Sequence, residues 1–519
     1  MMKNSHMGLN VKINRIIIFL LSIVVALVML KFTYSNLTVL KMVCSSEYPL
    51  ESREWVSIII TDILHAGKGL YDNSIQPYGT YVYGPVFPYL TALLSNFAEN
   101  TLSAHRLISV LSILGCCILL YAMLSLSPVP RIIKLFASFS LLFYLTVSTN
   151  TIARPDALGL FLLILSIYVP YRLNYSKLGL LFSGVFCFLA LLTKQYFAVG
   201  APSVYLYVAL FINFRRGMVG ATLFFICLGT MLAGSYFYNN AFFTNYIFGI
   251  INDSTSSWEH MIRHLKDVIT YHFGYIAIII VALFYNENKS EKEDKLSSNT
   301  SGIIKYQVPL SLFLLVLFFW VIVIKLGPHI GNDYLYYFHL FTPFLIWASF
   351  DCLPVCLYQN QKALLASLLL VCCFTFHYYL VPMRYKYYND YQDGWNKVEE
   401  YARTHKNVLF QRYSAGYAVK YDHQYVDTGH SQYASIASLD NNQSAGADDY
   451  RNNFKEFNNE IYNKMVNQEF DLIITDEKSR VELVPKKLIN DYYEQVDIAR
   501  IGFTFNGARN VNILKPKDK

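Results

Sequence analysis

The chain has 519 residues, of which 54% are hydrophobic and 15% charged, and its mean hydropathy is +0.31. Soluble domains carry about 25% charged residues, so this composition excludes an ordinary soluble protein and points to an integral membrane protein. The formal net charge of +7 comes from Lys and Arg spread through short inter-helix segments. With no basic patch on a soluble module, that distribution argues against a nucleic-acid partner.

Lys3, Lys12 and Arg15 precede an apolar run from Ile16 to Leu30. No small-residue cleavage site follows, so the expectation is an uncleaved first span. Apolar runs approaching the roughly 20 residues of a spanning helix begin near Ile13, Ala104, Ile132, Ala157, Leu178, Tyr196, Met218, Val268, Val308, Tyr336 and Ala363. They predict about eleven spans. With a cytoplasmic N-terminus, the inner loops carry Arg131 and Lys134, Arg172 and Lys177, Arg215 and Arg216, the Lys289/Lys292/Lys295 cluster, and Lys362. Each obeys the positive-inside rule, and an odd number of spans leaves the C-terminal segment outside.

The segment 31–103 is the longest between spans and is read as the first outer loop. Within it, Glu54 to Ala66 sets Val56, Ile59, Ile60, Ile63 and Leu64 against Ser57, Thr61 and His65 at helical spacing. That pattern predicts an amphipathic helix on the membrane surface. The Tyr-rich stretch YGTYVYGPVFPY (78–89) follows, with Gly and Pro breaking regular structure. Residues 286–301 are polar and mixed in charge, and read as a flexible inner loop.

From Tyr385 the texture turns polar, rich in Asn, Asp and Tyr. Strands are predicted at Asn407–Phe410, Phe470–Thr475 and Val511–Leu514, a helix near Asn453–Met465, and a hairpin at Asn506-Gly507 after Ile501–Phe505. The chain therefore divides into a membrane unit, 1–384, and a small extracytoplasmic α/β domain, 385–519. Of nine cysteines, Cys116, Cys117, Cys187, Cys227, Cys372 and Cys373 lie in apolar runs, and the segment from Tyr385 has none. No CxxC pair suggests a metal or redox site.

Four groups of ionisable residues fall at the outer ends of spans, where charge is expensive without a role. Glu51-Ser52-Arg53-Glu54 supplies two carboxylates three residues apart. They suit a general base toward an acceptor hydroxyl or a cation on a phosphate, and equally the capping of a helix N-terminus. Arg154-Pro155-Asp156 opens a span. Its guanidinium is a planar fork for phosphate, or one half of an ion pair anchoring the helix end. Thr193-Lys194-Gln195 places a point charge between two apolar runs, for a phosphate or for lipid headgroups. KLGPHIGND (325–333) combines Lys325, His329 and Asp333 in one bent outer loop.

The order of motifs is familiar: YPLESREW, HAGKGLYDN, YGPVFPYLTALL, ARPDALGLFLL, LLTKQYF and KLGPHIGNDYLYYFHLFTPFL. It resembles the GT-C membrane glycosyltransferases, particularly the bacterial branch similar to protein mannosyltransferases and lipid A aminoarabinose transferases, over Ile13 to about Leu380. The resemblance implies a polytopic α-helical membrane protein with a small α/β extracytoplasmic C-terminal domain. Such a protein passes a sugar from a polyprenyl-phosphate carrier to an extracytoplasmic glycolipid, polysaccharide or protein, with inversion. It implies a catalytic carboxylate in the first outer loop, Glu51 or Glu54. Relatives often read Asp-x-x-Glu there, and Glu47 is a third, weaker candidate. Arg154, Lys194 and Lys325 match positions facing the carrier phosphate, with Asp156, Gln195, His329, Asp333 and Tyr83 in support. The setting implied is a bacterial inner membrane, with membrane lipids as partners. No cofactor is specified, and a divalent cation is left open because no ligand motif points to one. A transporter or lipid flippase is the rival reading, but it would place polar groups near mid-membrane, often in repeated halves. Here the charges gather at one face and no repeat is visible.

Overall fold

The computed structural model describes residues 2–50, 54–67, 69–71, 81, 83–98, 101–147, 152–243, 246, 262, 265–266, 269–270, 272–283, 308–326, 340–353, 368, 391–411, 414–426, 456, 459–476, 486–503 and 507–518. It is predominantly helical. Helix α1 (Met2–Ser45) runs for 44 residues, about 66 Å at 1.5 Å per residue, so it continues well past the apolar run that marked it in the sequence. Its last turns are buried at Val39 and Val43, where it packs on α4 (Thr101–Ser125) and α5 (Arg131–Val147). Helices α3 (Val86–Ser95), α6 (Asp156–Arg172) and α7 (Lys177–Leu191) complete a bundle with them. A 3₁₀ turn (Gln195–Val199), α8 (Gly200–Tyr207) and a π turn (Val208–Ile212) form one further apolar rod, followed by α9 (Phe214–Tyr238).

Among the described residues, four helices are long and apolar enough to cross a membrane: Ile18–Ser45, Thr101–Ser125, Gln195–Ile212 and Phe214–Tyr238. Shorter apolar helices at Lys177–Leu191, His272–Leu283 and Val308–Val323 accompany them. The spans expected near Tyr336 and Ala363 lie largely outside the described residues, apart from the buried helix Thr342–Asp351. The charged loop 286–301 lies outside them as well.

Helix α2 (Glu54–His65) forms where periodicity places it, but it does not lie on a surface. Its first eight residues, Glu54 through Thr61, are all buried. Trp55, Ile58 and Ile59 face the C-terminal unit, and Val56 and Ile60 pack with Tyr71, Tyr81, Phe242 and Tyr246. Ser57 and Thr61 turn to α4, where the His105 Nε2 meets the Thr61 hydroxyl at 2.9 Å and the Ser57 carbonyl at 3.2 Å. Of the polar positions that suggested a wet face, Ser57 and Thr61 are thus buried, with the Thr61 hydroxyl satisfied inside the protein as burial demands, and His65 at the helix end stays exposed.

The C-terminal unit is a five-stranded sheet of order β2-β1-β3-β5-β4. Its strands are β1 (Val408–Gln411), β2 (Gln424–Val426), β3 (Leu472–Asp476), β4 (Tyr493–Phe503) and β5 (Gly507–Pro516). β1 pairs in parallel with β2 and β3, whereas β5 is antiparallel to β3 and β4. β4 and β5 pair antiparallel from Phe503↔Gly507 onward, as a hairpin requires; Asn506 of the expected turn lies outside the described residues. Alternation sends Val408, Phe410, Leu472, Ile474, Val511 and Ile513 to one face and Leu409, Ile473 and Leu514 to the other. The first face shares its core with the membrane unit. Trp395, on the helix Gln392–Thr404, stacks on Tyr48 at 6.2 Å and meets the Trp55 ring edge-on at 6.2 Å. Gly416 is the close approach in this junction, because a Cβ there would fall 1.7 Å from the Trp55 ring.

Candidate active site

Three stretches far apart in sequence meet at one end of the bundle, beneath the C-terminal sheet. The first is the turn between α1 and α2. Glu54 opens α2, where a carboxylate is favoured by the helix dipole, and it is fully buried. Its Oε1 accepts from Arg106 Nε at 3.0 Å and from the Ala153 amide at 2.8 Å; its Oε2 accepts from Arg106 Nη2 at 2.9 Å and from the Leu50 amide at 2.6 Å. Arg106, one and a half turns into α4, spends its other donors on the carbonyls of Val43 (3.2 Å), Ser46 (2.6 Å) and Tyr48 (2.7 Å). Five guanidinium N–H groups therefore have five bonds, and the carboxylate's four acceptor positions are filled.

This geometry describes one of the two carboxylates that the sequence left as alternatives. Glu54 has no oxygen free to receive a proton from an acceptor; it is the pin that ties Leu50, Ala153 and α4 together. Glu51 lies outside the described residues, but Leu50 before it and Glu54 after it are both held in this knot.

The second stretch is 152–156. The Ile152 carbonyl accepts from Ser109 Oγ at 2.7 Å and the Ala153 amide is taken by Glu54, so the two residues before Arg154 are fixed, and the Arg154 carbonyl itself lies 3.3 Å from the same Ser109 hydroxyl. Pro155 precedes the first helical residue, Asp156, as its locked φ favours. The Asp156 carboxylate joins two cations, with Arg154 Nε at 3.3 Å and Lys194 Nζ at 2.7 Å.

Lys194, in the third stretch, is 2% exposed. Its ammonium does not extend toward lipid headgroups but sits 4.8 Å from the Tyr83 ring centroid and 5.2 Å from that of Tyr196, a cation–π setting that favours a desolvated charge. Tyr83 reaches it because Gly84 lies against the Leu192 backbone, where an added Cβ would come within 1.8 Å of the Leu192 carbonyl oxygen. Gln195 donates from Nε2 to the Tyr246 carbonyl at 3.0 Å, bracing the same turn.

Lys325 lies in the last turn of the helix Val308–Leu326, its side chain outside the described residues; His329 and Asp333 lie outside them entirely. No group of three or more His, Cys, Asp or Glu among the described residues could hold a metal ion.

Sequence reasoning missed Arg106, which hides in an apolar run as a lone cation, and Asp62, which belongs to the α2 face turned to the C-terminal unit. Burial raises the Asp62 carboxyl to about 6, with the nearby His65 charge opposing the rise. A carboxyl raised in the folded state contributes stability that is fully present below about pH 3.8 and lost as pH climbs through about 6. Asp62→Asn is therefore expected to be more thermostable than the parent above pH 6, with the gap closing toward pH 4. Melting curves across that range test this, and an equal offset at both ends would refute it.

No protein-family model matches the chain, and no curated protein does. Among solved structures it is similar to the Archaeoglobus fulgidus oligosaccharyltransferase in complex with Zn and sulfate, with TM-score 0.43 and 10% identity over 86% of this chain and 67% of that one. The same enzyme tethered to an acceptor peptide containing the NVT sequon gives 0.41 and 10%, over 92% and 73%. ArnT from Cupriavidus metallidurans in the apo state gives 0.42 and 9%, over 93% and 97%. These are GT-C glycosyltransferases, the class that the motif order resembles. Similarity of this degree carries no argument about chemistry, which has to come from the residues themselves.

Proposed function

We propose that the chain is a membrane glycosyltransferase that takes a sugar from a polyprenyl-phosphate carrier and passes it, with inversion, to an extracytoplasmic glycolipid, polysaccharide or protein. The observation that carries this reading is the convergence of Glu54 at the start of α2, the Arg154–Asp156 helix start and Lys194 at one end of the bundle, joined through the Ala153 amide and the Asp156 carboxylate. Carboxylate and cations have complementary tasks there. Glu51 deprotonates or orients the acceptor hydroxyl. Arg154 and Lys194 stabilise the charge that develops on the departing phosphate, inside a site from which water is excluded. Asp156 holds both cations in place, and Lys325 is a third candidate contact to the phosphate.

The same proposal includes a bacterial inner-membrane location, a cytoplasmic N-terminus, and a membrane unit through residue 384 followed by an extracytoplasmic unit from 385. The basic loops support that orientation.

Purified protein supplied with a labelled polyprenyl-phosphate sugar and an envelope-derived acceptor is expected to release polyprenyl phosphate. Arg154→Lys keeps the charge but loses the bidentate fork, so about tenfold more carrier is expected at half-maximal rate, with acceptor dependence little changed. Unchanged carrier dependence in this variant would remove Arg154 from the site, and absence of any release would overturn the reaction class.

A further inference from the structure

Beside the ionic assembly stands a hydroxyl that the reaction above does not use. Tyr81 is 1% exposed, and its Oη makes no hydrogen bond. Its tyrosine neighbours are different. Tyr71 Oη donates to the Tyr83 carbonyl at 2.7 Å, and Tyr246 Oη donates to the Leu191 carbonyl at 2.6 Å. The Tyr81 ring is gripped on both sides, edge-on to Tyr83 at 5.6 Å and tilted against Tyr71 at 6.5 Å. Packing alone would be served by phenylalanine, which leaves no polar atom unmet in a buried place.

The hydroxyl's charged surroundings identify what it lacks. Asp156 and Arg154 lie within electrostatic range of it, and burial holds the phenol well above its ordinary pKa, so it remains a protonated donor. Tyr83, in edge contact with the Tyr81 ring, is also the ring that faces the Lys194 ammonium. The Asp156 carboxylate already pairs with the guanidinium and the ammonium but leaves the phenol unmet; a ligand able to accept from all three donors at once is one that brings its own anionic oxygens.

We propose that Tyr81 donates a hydrogen bond to a phosphate oxygen held by Arg154 and Lys194, making it an uncharged contact to the carrier phosphate beside the cationic ones. This rests on the phosphate role given to that assembly under the proposed function. A neutral donor adds direction without adding charge, so it fixes the rotation of a phosphate that the cations alone would hold loosely.

The test uses the full chain purified in detergent, with binding of polyprenyl phosphate and of inorganic phosphate measured directly for the parent, Tyr81→Phe and Arg154→Lys. Tyr81→Phe is expected to weaken polyprenyl phosphate binding about 10- to 100-fold, while its ligand-free melting temperature stays level or rises. Inorganic phosphate should show the same ranking at lower affinity if the phosphate group is what is read; a loss confined to the lipid would mean that Tyr81 contacts the chain instead, and would overturn the proposal. So would parent-like affinity in Tyr81→Phe when Arg154→Lys is impaired, which leaves the phosphate site standing without this contact. Failure of the parent to bind polyprenyl phosphate would overturn both the site and the proposal. A lower ligand-free melting temperature in Tyr81→Phe would assign the hydroxyl a structural role and overturn it as well.

Discussion

Glu51→Gln is expected to slow sugar transfer about 10²–10⁴-fold, the range for loss of a general base, with the melting temperature unchanged. The expectation follows from the proposed structural role of Glu54, whose oxygens are committed to Arg106, Leu50 and Ala153. Glu51 is the other carboxylate of the pair, and Leu50 before it and Glu54 after it are anchored beside the loop that presents Arg154. Gln preserves its shape and removes the charge, so the rate of polyprenyl phosphate release at saturating carrier isolates the acceptor step. Glu47→Gln is the companion variant. If Glu47→Gln were the slow enzyme and Glu51→Gln the normal one, the base would be reassigned within the same turn.

Glu54→Gln should give the opposite pattern, a fall of about 3–5 kcal/mol in stability, because removing one charge of a buried pair leaves the other unmet. The amide also turns one of its ends, a donor, toward donors: the Arg106 guanidinium and the amides of Leu50 and Ala153 all need an acceptor there. Replacing both partners, as in Glu54→Met with Arg106→Met, often relieves the penalty of a broken pair. Here recovery should be partial, since the carbonyls of Val43, Ser46 and Tyr48 lose the guanidinium that serves them. Denaturant or thermal unfolding of the single and double variants gives the comparison. A Glu54→Gln protein as stable as its parent but slow in transfer would return Glu54 to the chemistry.

The effects are expected to differ in reach as well as size. Tyr48 stacks on Trp395 and its hydroxyl bonds to the Asn396 side chain, so the turn that Arg106 organises is also the seat of the C-terminal unit. Loosening the Glu54 knot should therefore disturb the junction with the sheet, whereas Glu51→Gln should leave it intact.

Much of this protein was legible in one dimension because the relevant physics is local. Twenty-residue apolar runs, the basic residues between them, Pro155 at a helix start, the apolar spacing of α2 and the β-rich runs around 408–410, 472–475 and 511–514 each follow from neighbours along the chain. The strand β2, three residues long, carried too little pattern to be seen. The candidate charges were equally visible, since an ionisable group at a span's end stands out against its apolar context.

What the tertiary structure alone decided is which of those charges are partners. Glu54 could cap a helix or act as a base until Arg106, 52 residues away, was found to take both of its oxygens. Lys194 could reach for headgroups until Asp156, 38 residues earlier, drew it inward. α2 could lie on a membrane until the C-terminal sheet and α4 covered its remaining faces. Composition and periodicity determine that an element forms and that a charge is costly; only the approach of distant segments determines whether that cost is met inside the protein or left for a substrate to meet.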